Sequence, residues 1–193
     1  MKIDAPLKEL ALADVRQHAA KLEQIGFDGV WGFETQQDPF LPMLEIALGT
    51  EKMQLGTNIA IAFARSPFSL AMTAWDLQKV SNGRFLLGLG TQVRSHIERR
   101  FSTAFDHPVA CVTDYIHCLR AIWNTFQNAT KPNDHGLFYQ FNLINYFLIR
   151  TPSTTQISKS IWPVSTRAWH ARRQSPKTVS PSTQCIRRVT CAR

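Results

Sequence analysis

The clearest structural signal in the chain lies between residues 53 and 80, in the sequence MQLGTNIAIAFARSPFSLAMTAWDLQKV. Its first part, residues 53–62, is a long apolar run, which is typical of a parallel strand covered on both faces. Ser66 and Pro67 then mark a helix start, because serine caps a first helical turn and proline suits its first position. The segment therefore predicts one strand followed by one helix that extends to about Val80.

Strand and helix signals alternate on both sides of this segment. An amphipathic helix is predicted from about Leu10 to Ile25, with Gly26 as its C-terminal cap. Four strand–helix units in series indicate half of a (β/α)₈ barrel or a doubly wound sheet. The dinucleotide-binding version of the doubly wound sheet is disfavoured, because no Gly-x-Gly-x-x-Gly follows the first strand. The other predicted elements are strands at residues 2–5, 29–33 and 84–89 and helices at residues 41–48, 93–100 and 109–126.

A change in composition separates residues 1–145 from residues 146–193. The second part carries nine Lys or Arg and no acidic residue, whereas the first holds all 14 acids against 13 bases. When the codons that this sequence implies are read one frame over, parts of the tail translate into strand-like and helix-like sequences. At Trp162 and Trp169 the last base of the tryptophan codon, joined to the first two bases of the next codon, must encode alanine. We therefore expect residues 1–145 to form a partial barrel and residues 146–193 to be an out-of-frame, disordered tail. A natural Ser/Thr/Arg-rich disordered tail is the alternative.

Composition also limits the compartment and the chemistry. No run of 18 apolar residues is present, so no membrane span is expected, and the first ten residues lack the pattern of a secretory signal. The four cysteines lack metal-ligand spacing, so we expect no metal site and a cytoplasmic protein.

Several short sequence blocks carry a family resemblance: residues 1–4, 25–31, 55–58, 66–67 with Ala71 and Ala74, 83–85 and 87–91. In order and spacing through residue 145, they resemble the luciferase-like monooxygenase family. Residues 33–36, 38–40 and 94–100 are most similar to its branch that uses the deazaflavin coenzyme F-420. The resemblance implies a (β/α)₈ barrel with an inserted segment after the fourth strand. It also implies an oxidoreductase or monooxygenase that uses F-420 or FMN on an unidentified small-molecule substrate.

The resemblance places a cofactor at the C-terminal ends of the strands, where barrel enzymes hold their reacting atoms. The third-strand pair Asn58–Ile59 matches the position of a non-prolyl cis peptide that backs the cofactor ring in the family, with an ordinary trans strand as the alternative. After the fourth strand, backbone N–H groups and a hydroxyl would meet the cofactor, unless the segment is only a tight strand-to-helix turn. The candidate cofactor-binding residues are Glu34, Asn58, Ile59, Gly90, Thr91 and Gln92.

Glu34 has several possible roles in this scheme. It suits an acid, a base or a partner of the ring, and it equally suits a cap of the following turn. The deazaflavin sugar dehydrogenases carry a carboxylate followed by histidine at this strand end, whereas Thr35 follows here. The catalytic residues therefore stay unassigned.

Other conspicuous residues have structural interpretations beside functional ones. The basic cluster of Arg94, His96, Arg99 and Arg100 suits an acidic cofactor tail or a solvated helix face. Ser66 has no His and Asp in a nucleophile arrangement, so a hydrolase has little support. Trp75 and Trp123 lie on apolar helix faces and are predicted to be core residues.

Three functions remain open from the sequence. The first is the flavin or deazaflavin oxidoreductase, and the second is a truncated, inactive remnant of it. The third is a half-barrel with a nucleic-acid-binding tail, in which Arg172, Arg173, Arg187 and Arg188 lie near two tryptophans, although no specific nucleic acid is expected as a partner. The open edges of a half barrel would favour a homodimer or aggregation.

Overall fold

The computed structural model of the protein describes residues 2–7, 9–148, 150, 152 and 161–163. These form an α/β fold in which helices cover a parallel sheet. The described residues also include two short 3₁₀ turns, at Ala62–Ala64 and Tyr146–Leu148. In chain order the elements are β1 (Asp4–Pro6), α1 (Leu12–Ile25), β2 (Gly29–Gly32), α2 (Phe40–Gly49), β3 (Gln54–Thr57), β4 (Ala60–Ile61), α3 (Pro67–Val80), β5 (Phe85–Gly90), α4 (Arg94–Arg100), α5 (Pro108–Asn128), β6 (Asp134–His135), β7 (Gln140–Phe141) and β8 (Ile161–Pro163).

The strand order follows the chain. β1 pairs with β2, β2 with β3 and β3 with β5, all in parallel, so the order never reverses. A doubly wound sheet reverses its strand order at a switch point, whereas a barrel adds each strand beside the previous one. The sheet is therefore the first half of a (β/α)₈ barrel, and the doubly wound alternative is wrong.

The long third strand predicted at residues 53–62 is interrupted. Leu55 pairs with Phe85 and Ala60 pairs with Leu89, so this side of the ladder holds one residue more than β5 does. Such an extra residue is a β-bulge, which local apolar patterning does not reveal. It divides the predicted strand into β3 and β4.

The side chain of Thr57 supports the sheet beside the interruption. Its hydroxyl accepts from Gly88 N at 3.0 Å and donates to Gly88 O at 2.8 Å. A Cβ at residue 88 would collide with the carbonyl oxygen of Thr57, so glycine is needed for this close approach.

Helix boundaries follow the predicted capping signals. Ser66 accepts a hydrogen bond from Ser69 N at 3.2 Å and caps α3, while Gly26 ends α1 with φ of 102°. Trp75 and Trp123 are core residues, as predicted, with exposures of 1% and 2%. Apart from the third strand, the predicted bounds within residues 2–128 differ from the structure by at most two residues.

One segment of the tail belongs to the sheet. Ile161–Pro163 forms β8, parallel to β5 over Leu87–Leu89, where a fifth barrel strand would lie. The expectations of no structure beyond about residue 150 and of an open edge on β5 are therefore wrong at these residues. The other tail predictions, including the nucleic-acid-binding arginines, lie outside the described residues.

None of the described helices combines the length and the apolar character that crossing a membrane requires.

Candidate cofactor site

The carboxyl ends of β2, β3 and β5 bring the six candidate residues together along one rim of the sheet. Asn58 N donates to Gly32 O at 2.7 Å, and Glu34 N donates to Ile59 O at 3.3 Å. On the other side, Ile61 pairs with Gly90, directly before Thr91 and Gln92. Residues that lie 25 to 29 positions apart in the sequence are therefore paired along this rim.

Asn58 and Ile59 are joined by a cis peptide bond, as the family resemblance implied. Both residues are half-buried, and Ile59 packs against the hydrophobic core. Within the described part of the chain, the side-chain amide of Asn58 has no hydrogen-bond partner. The segment thus presents an apolar side chain and an amide with free hydrogen-bonding capacity.

Glu34 binds the neighbouring strand rather than the turn that follows it. Its Oε2 accepts from Ile61 N at 2.6 Å, and both its oxygens lie 2.9 Å from Nη1 of Arg65. The Glu34 side chain is only 10% exposed. The alternative in which Glu34 caps the following turn is wrong, because its carboxylate binds Ile61 N and Arg65. In that turn, Asp38 Oδ1 accepts from Phe40 N at 2.8 Å.

Arg65 is the rim residue that sequence reasoning missed. Its Nη2 lies 3.0 Å from Asp38 Oδ2, its Nη1 lies 3.4 Å from Ile61 O, and its guanidinium lies 5.1 Å from the centroid of the Phe40 ring. The sequence did contain a signal for Arg65, because this arginine is the lone charged residue between an apolar strand and the cap of the next helix. An arginine in such a place needs an acidic partner, and two acids end the preceding strand unit.

The segment after β5 uses most of its polar groups locally. Thr91 Oγ1 donates to Gln92 O at 3.2 Å, and Gln92 Oε1 accepts from Val93 N at 3.1 Å. Gln92 has φ of 58°, which is the turn geometry expected between a strand and a helix. Thr91 and Gln92 are half-buried, so their contact with a cofactor stays a prediction.

The basic cluster on α4 is partly neutralised. Arg94 pairs with Glu98 at 2.7 Å and lies 3.6 Å from Asp106, while Arg99 and Arg100 are exposed. This arrangement agrees with the solvated-face interpretation for Arg94.

The described cysteines are poorly suited to nucleophilic or metal chemistry. Burial, together with the nearby Asp134 carboxylate, raises the pKa of the Cys118 thiol to about 12. Burial also raises the pKa of Cys111, although the hydrogen bond with Tyr139 opposes this. Both thiols are therefore protonated near neutral pH, and among the described residues no cluster of three His, Cys, Asp or Glu could hold a metal ion.

The fold and the rim define a barrel-type α/β protein whose candidate site lies at the carboxyl ends of its strands. The sequence model for luciferase-like monooxygenases matches residues 3–173. The chain therefore belongs to the luciferase-like monooxygenase family.

Two mycobacterial relatives show the extent of the sequence similarity. An uncharacterized protein of Mycobacterium tuberculosis is 46% identical over 144 residues, which cover 75% of this chain and 42% of the relative. A putative coenzyme F-420-dependent oxidoreductase of the same organism is 28% identical over 169 residues, or 86% of this chain and 46% of the relative.

Two solved structures share the fold. The oxygenating constituent of 3,6-diketocamphane monooxygenase from Pseudomonas putida, in complex with FMN, has a TM-score of 0.67 at 14% identity over 84% of this chain and 51% of its own. The coenzyme F-420-dependent tetrahydromethanopterin reductase from Methanopyrus kandleri has a TM-score of 0.60 at 15% identity, over 84% and 49% of the two chains. The chain thus spans about half the length of the proteins it matches.

Proposed function

We propose that this chain supplies the cofactor-facing rim of an oxidoreductase that uses coenzyme F-420 or FMN on a small-molecule substrate. Family membership supports the class of reaction, and relatives named for F-420 or bound to FMN support the cofactor. The observation that carries the proposal is the rim itself. Half-buried Asn58, Ile59, Thr91 and Gln92 flank the paired residues Ile61 and Gly90 at the carboxyl ends of the strands, where barrel enzymes bind ligands.

The rim residues fit a flavin or deazaflavin ring, which is flat and apolar across its faces and polar along its edges. Ile59 offers an apolar surface for a ring face, and Gly90 lets the backbone approach closely because it lacks a side chain. The free amide of Asn58 suits a polar ring edge. When bound, the ring would supply hydride transfer or oxygen activation, while the chain binds and orients it.

Glu34 has a positioning role in this proposal. Its carboxylate already accepts from Ile61 N and faces Arg65, so its acceptor capacity is engaged within the protein. The proposal therefore assigns no proton transfer to Glu34, and the departure at Thr35 from the carboxylate–histidine pair agrees with this.

Fluorescence titration of the full chain with FMN and with F-420 tests the proposal. We expect weak binding of at least one cofactor, and Asn58→Ala should lower the affinity by about 5- to 30-fold through the loss of one hydrogen bond. The matched control is Asn133→Ala, since Asn133 is exposed and lies beyond α5. Absence of binding at millimolar cofactor, or an equal loss in both variants, would refute the proposal.

A second candidate is a remnant of the enzyme without turnover. The basic, acid-free composition of residues 146–193 and its sensible alternate frame support it. The nucleotide sequence near Asn145 and Tyr146 tests this candidate. A single-base change that restores a long frame would support it, and turnover by the chain as given would exclude it.

A further inference from the structure

The segment from Asn58 to Ile61 lies where the backbone ladder of the sheet is weakest. β3 pairs with β5 through Leu55 and Gly56, and pairing resumes only at Ala60 and Ile61. Because residues 57–59 have no strand partner on β5, their position depends on contacts from elsewhere. The proposed cofactor surface is part of this interrupted segment.

Glu34 holds the segment from the opposite side. Its backbone N–H donates to Ile59 O at 3.3 Å, and its carboxylate accepts from Ile61 N at 2.6 Å. One residue of the β2 loop thus binds both sides of Ala60. A carboxylate that is 10% exposed is unfavourable without a counter-charge, which Arg65 supplies.

Arg65 is itself fixed by three further groups. Its Nη2 binds Asp38 at 3.0 Å, its guanidinium lies over the Phe40 ring, and its carbonyl accepts from the Tyr115 hydroxyl at 3.1 Å. Tyr115 is fully buried in α5. The arginine therefore connects the loops after β2 and β4 to the helical layer.

We propose that Arg65 is a positioning residue, which with Glu34 fixes the segment Asn58–Ile61 in the geometry that meets the cofactor. The expected effect on cofactor binding rests on the proposed function. The ordering of residues 58–61 rests on the contacts described above. One guanidinium faces two carboxylates here, so Arg65 is engaged inside the protein and is unsuited to bind an anionic ligand. Its effect on the cofactor is transmitted through Glu34 and the backbone of Ile61.

The experiment compares ion-pair variants of the full chain by amide hydrogen exchange and cofactor titration. In Arg65→Gln, the Ile61 amide should exchange at least about tenfold faster, because local opening no longer breaks the ion pair. FMN or F-420 affinity should fall about tenfold, and Arg65→Lys should restore part of both effects because it keeps the charge. Adding Glu34→Gln to Arg65→Gln should cost little more, since the two residues act as one unit.

Arg16→Gln is the matched control. Arg16 pairs with Glu45 at 2.9 Å between α1 and α2, and neither is a rim residue, so its loss should leave Ile61 exchange and cofactor affinity unchanged. Unaltered Ile61 exchange in Arg65→Gln would overturn the proposal, as would faster exchange with unaltered cofactor affinity. If Arg65→Gln does not fold, Arg65→Lys decides by the same criteria.

The outcome also separates this inference from the proposed function. If the unsubstituted chain binds neither FMN nor F-420, the proposed function fails and the positioning role toward a cofactor fails with it. If that chain binds one of them and the Arg65 variants match the Arg16→Gln control, only the positioning role fails.

Discussion

The two ends of the sheet both place an arginine near a glutamate, yet the two arrangements differ in their partners. At the amino end, Arg84 donates five hydrogen bonds of 2.7 to 3.0 Å to the carbonyls of Ala47, Thr50, Met53 and Ser81 and to the Thr50 hydroxyl. At the carboxyl end, Arg65 contacts two carboxylates instead.

Glu23 completes the amino-end network. Its carboxylate accepts from the N–H groups of residues 51–53 at 2.7 to 3.1 Å. Burial alone would raise its pKa, but these hydrogen bonds and the Arg84 charge lower the pKa below its usual range. Burial lowers the pKa of the Arg84 guanidinium, and Glu23 opposes that effect.

An arginine and a glutamate thus serve a different purpose at each end of the sheet. At the amino end the charged groups satisfy the backbone of the α2–β3 connection, which is a contribution to stability. At the carboxyl end the ion pair joins the loops after β2 and β4, and we propose that the amide of Asn58 meets a ligand beside it. This division agrees with the general rule that barrel enzymes keep stability at one face and chemistry at the other.

The largest effect should come from breaking the amino-end network with Arg84→Met. Several carbonyls would lose their donor and Glu23 its counter-charge, so the free energy of unfolding should fall by about 3 to 5 kcal/mol in urea titrations. Arg120→Met, on the exposed side of α5, should change it by less than about 0.5 kcal/mol. A loss below 1 kcal/mol for Arg84→Met, on the scale of a surface pair, would contradict the assigned role.

A smaller effect is expected from Thr57→Val, which keeps the shape but removes the hydroxyl that binds both backbone groups of Gly88. The free energy of unfolding should fall by about 1 to 3 kcal/mol, because a buried N–H and a buried carbonyl lose a partner. Thr113→Val on the exposed face of α5 provides the control. Equal stability of the two variants would show that the Thr57 bridge is dispensable.

Glu23→Gln should lower stability by about 1 to 2 kcal/mol near neutral pH, after allowance for solvent screening. The pKa of Glu23 is lower in the folded than in the unfolded chain, so its contribution is complete above the unfolded value of about 4.3 and is lost as pH falls through the folded value. Urea titrations from pH 7 to pH 3 should therefore show the two proteins converging in acid. A constant difference across that range would argue against this linkage.

Asn58→Ala should have the smallest effect on stability, below about 0.5 kcal/mol, because its amide has no partner among the described residues. Thermal unfolding of the variant beside the unsubstituted chain measures this. A loss above 1 kcal/mol would mean that Asn58 serves the fold rather than a ligand.

Local sequence signals predicted much of this fold. Ser66 with Pro67 and Gly26 set helix boundaries through chemistry confined to a few residues, and apolar runs located the strands. The bulge after Thr57 was not predicted, since it arises from the register against β5, whose residues lie about 30 positions further along the chain. Arg65 was missed for the same reason, because its partners Glu34 and Asp38 precede it by 31 and 27 residues.

Mapping of cofactor-induced amide shifts in the ¹⁵N-labelled full chain tests most directly whether the two ends have different roles. Titration with FMN and with F-420 should shift the amides of residues 58–61 and 90–92 and leave those of residues 51–53 and 81–84 in place. Shifts confined to the carboxyl end are the predicted result. Shifts centred on the amino end, or none with either cofactor at millimolar concentration, would contradict it.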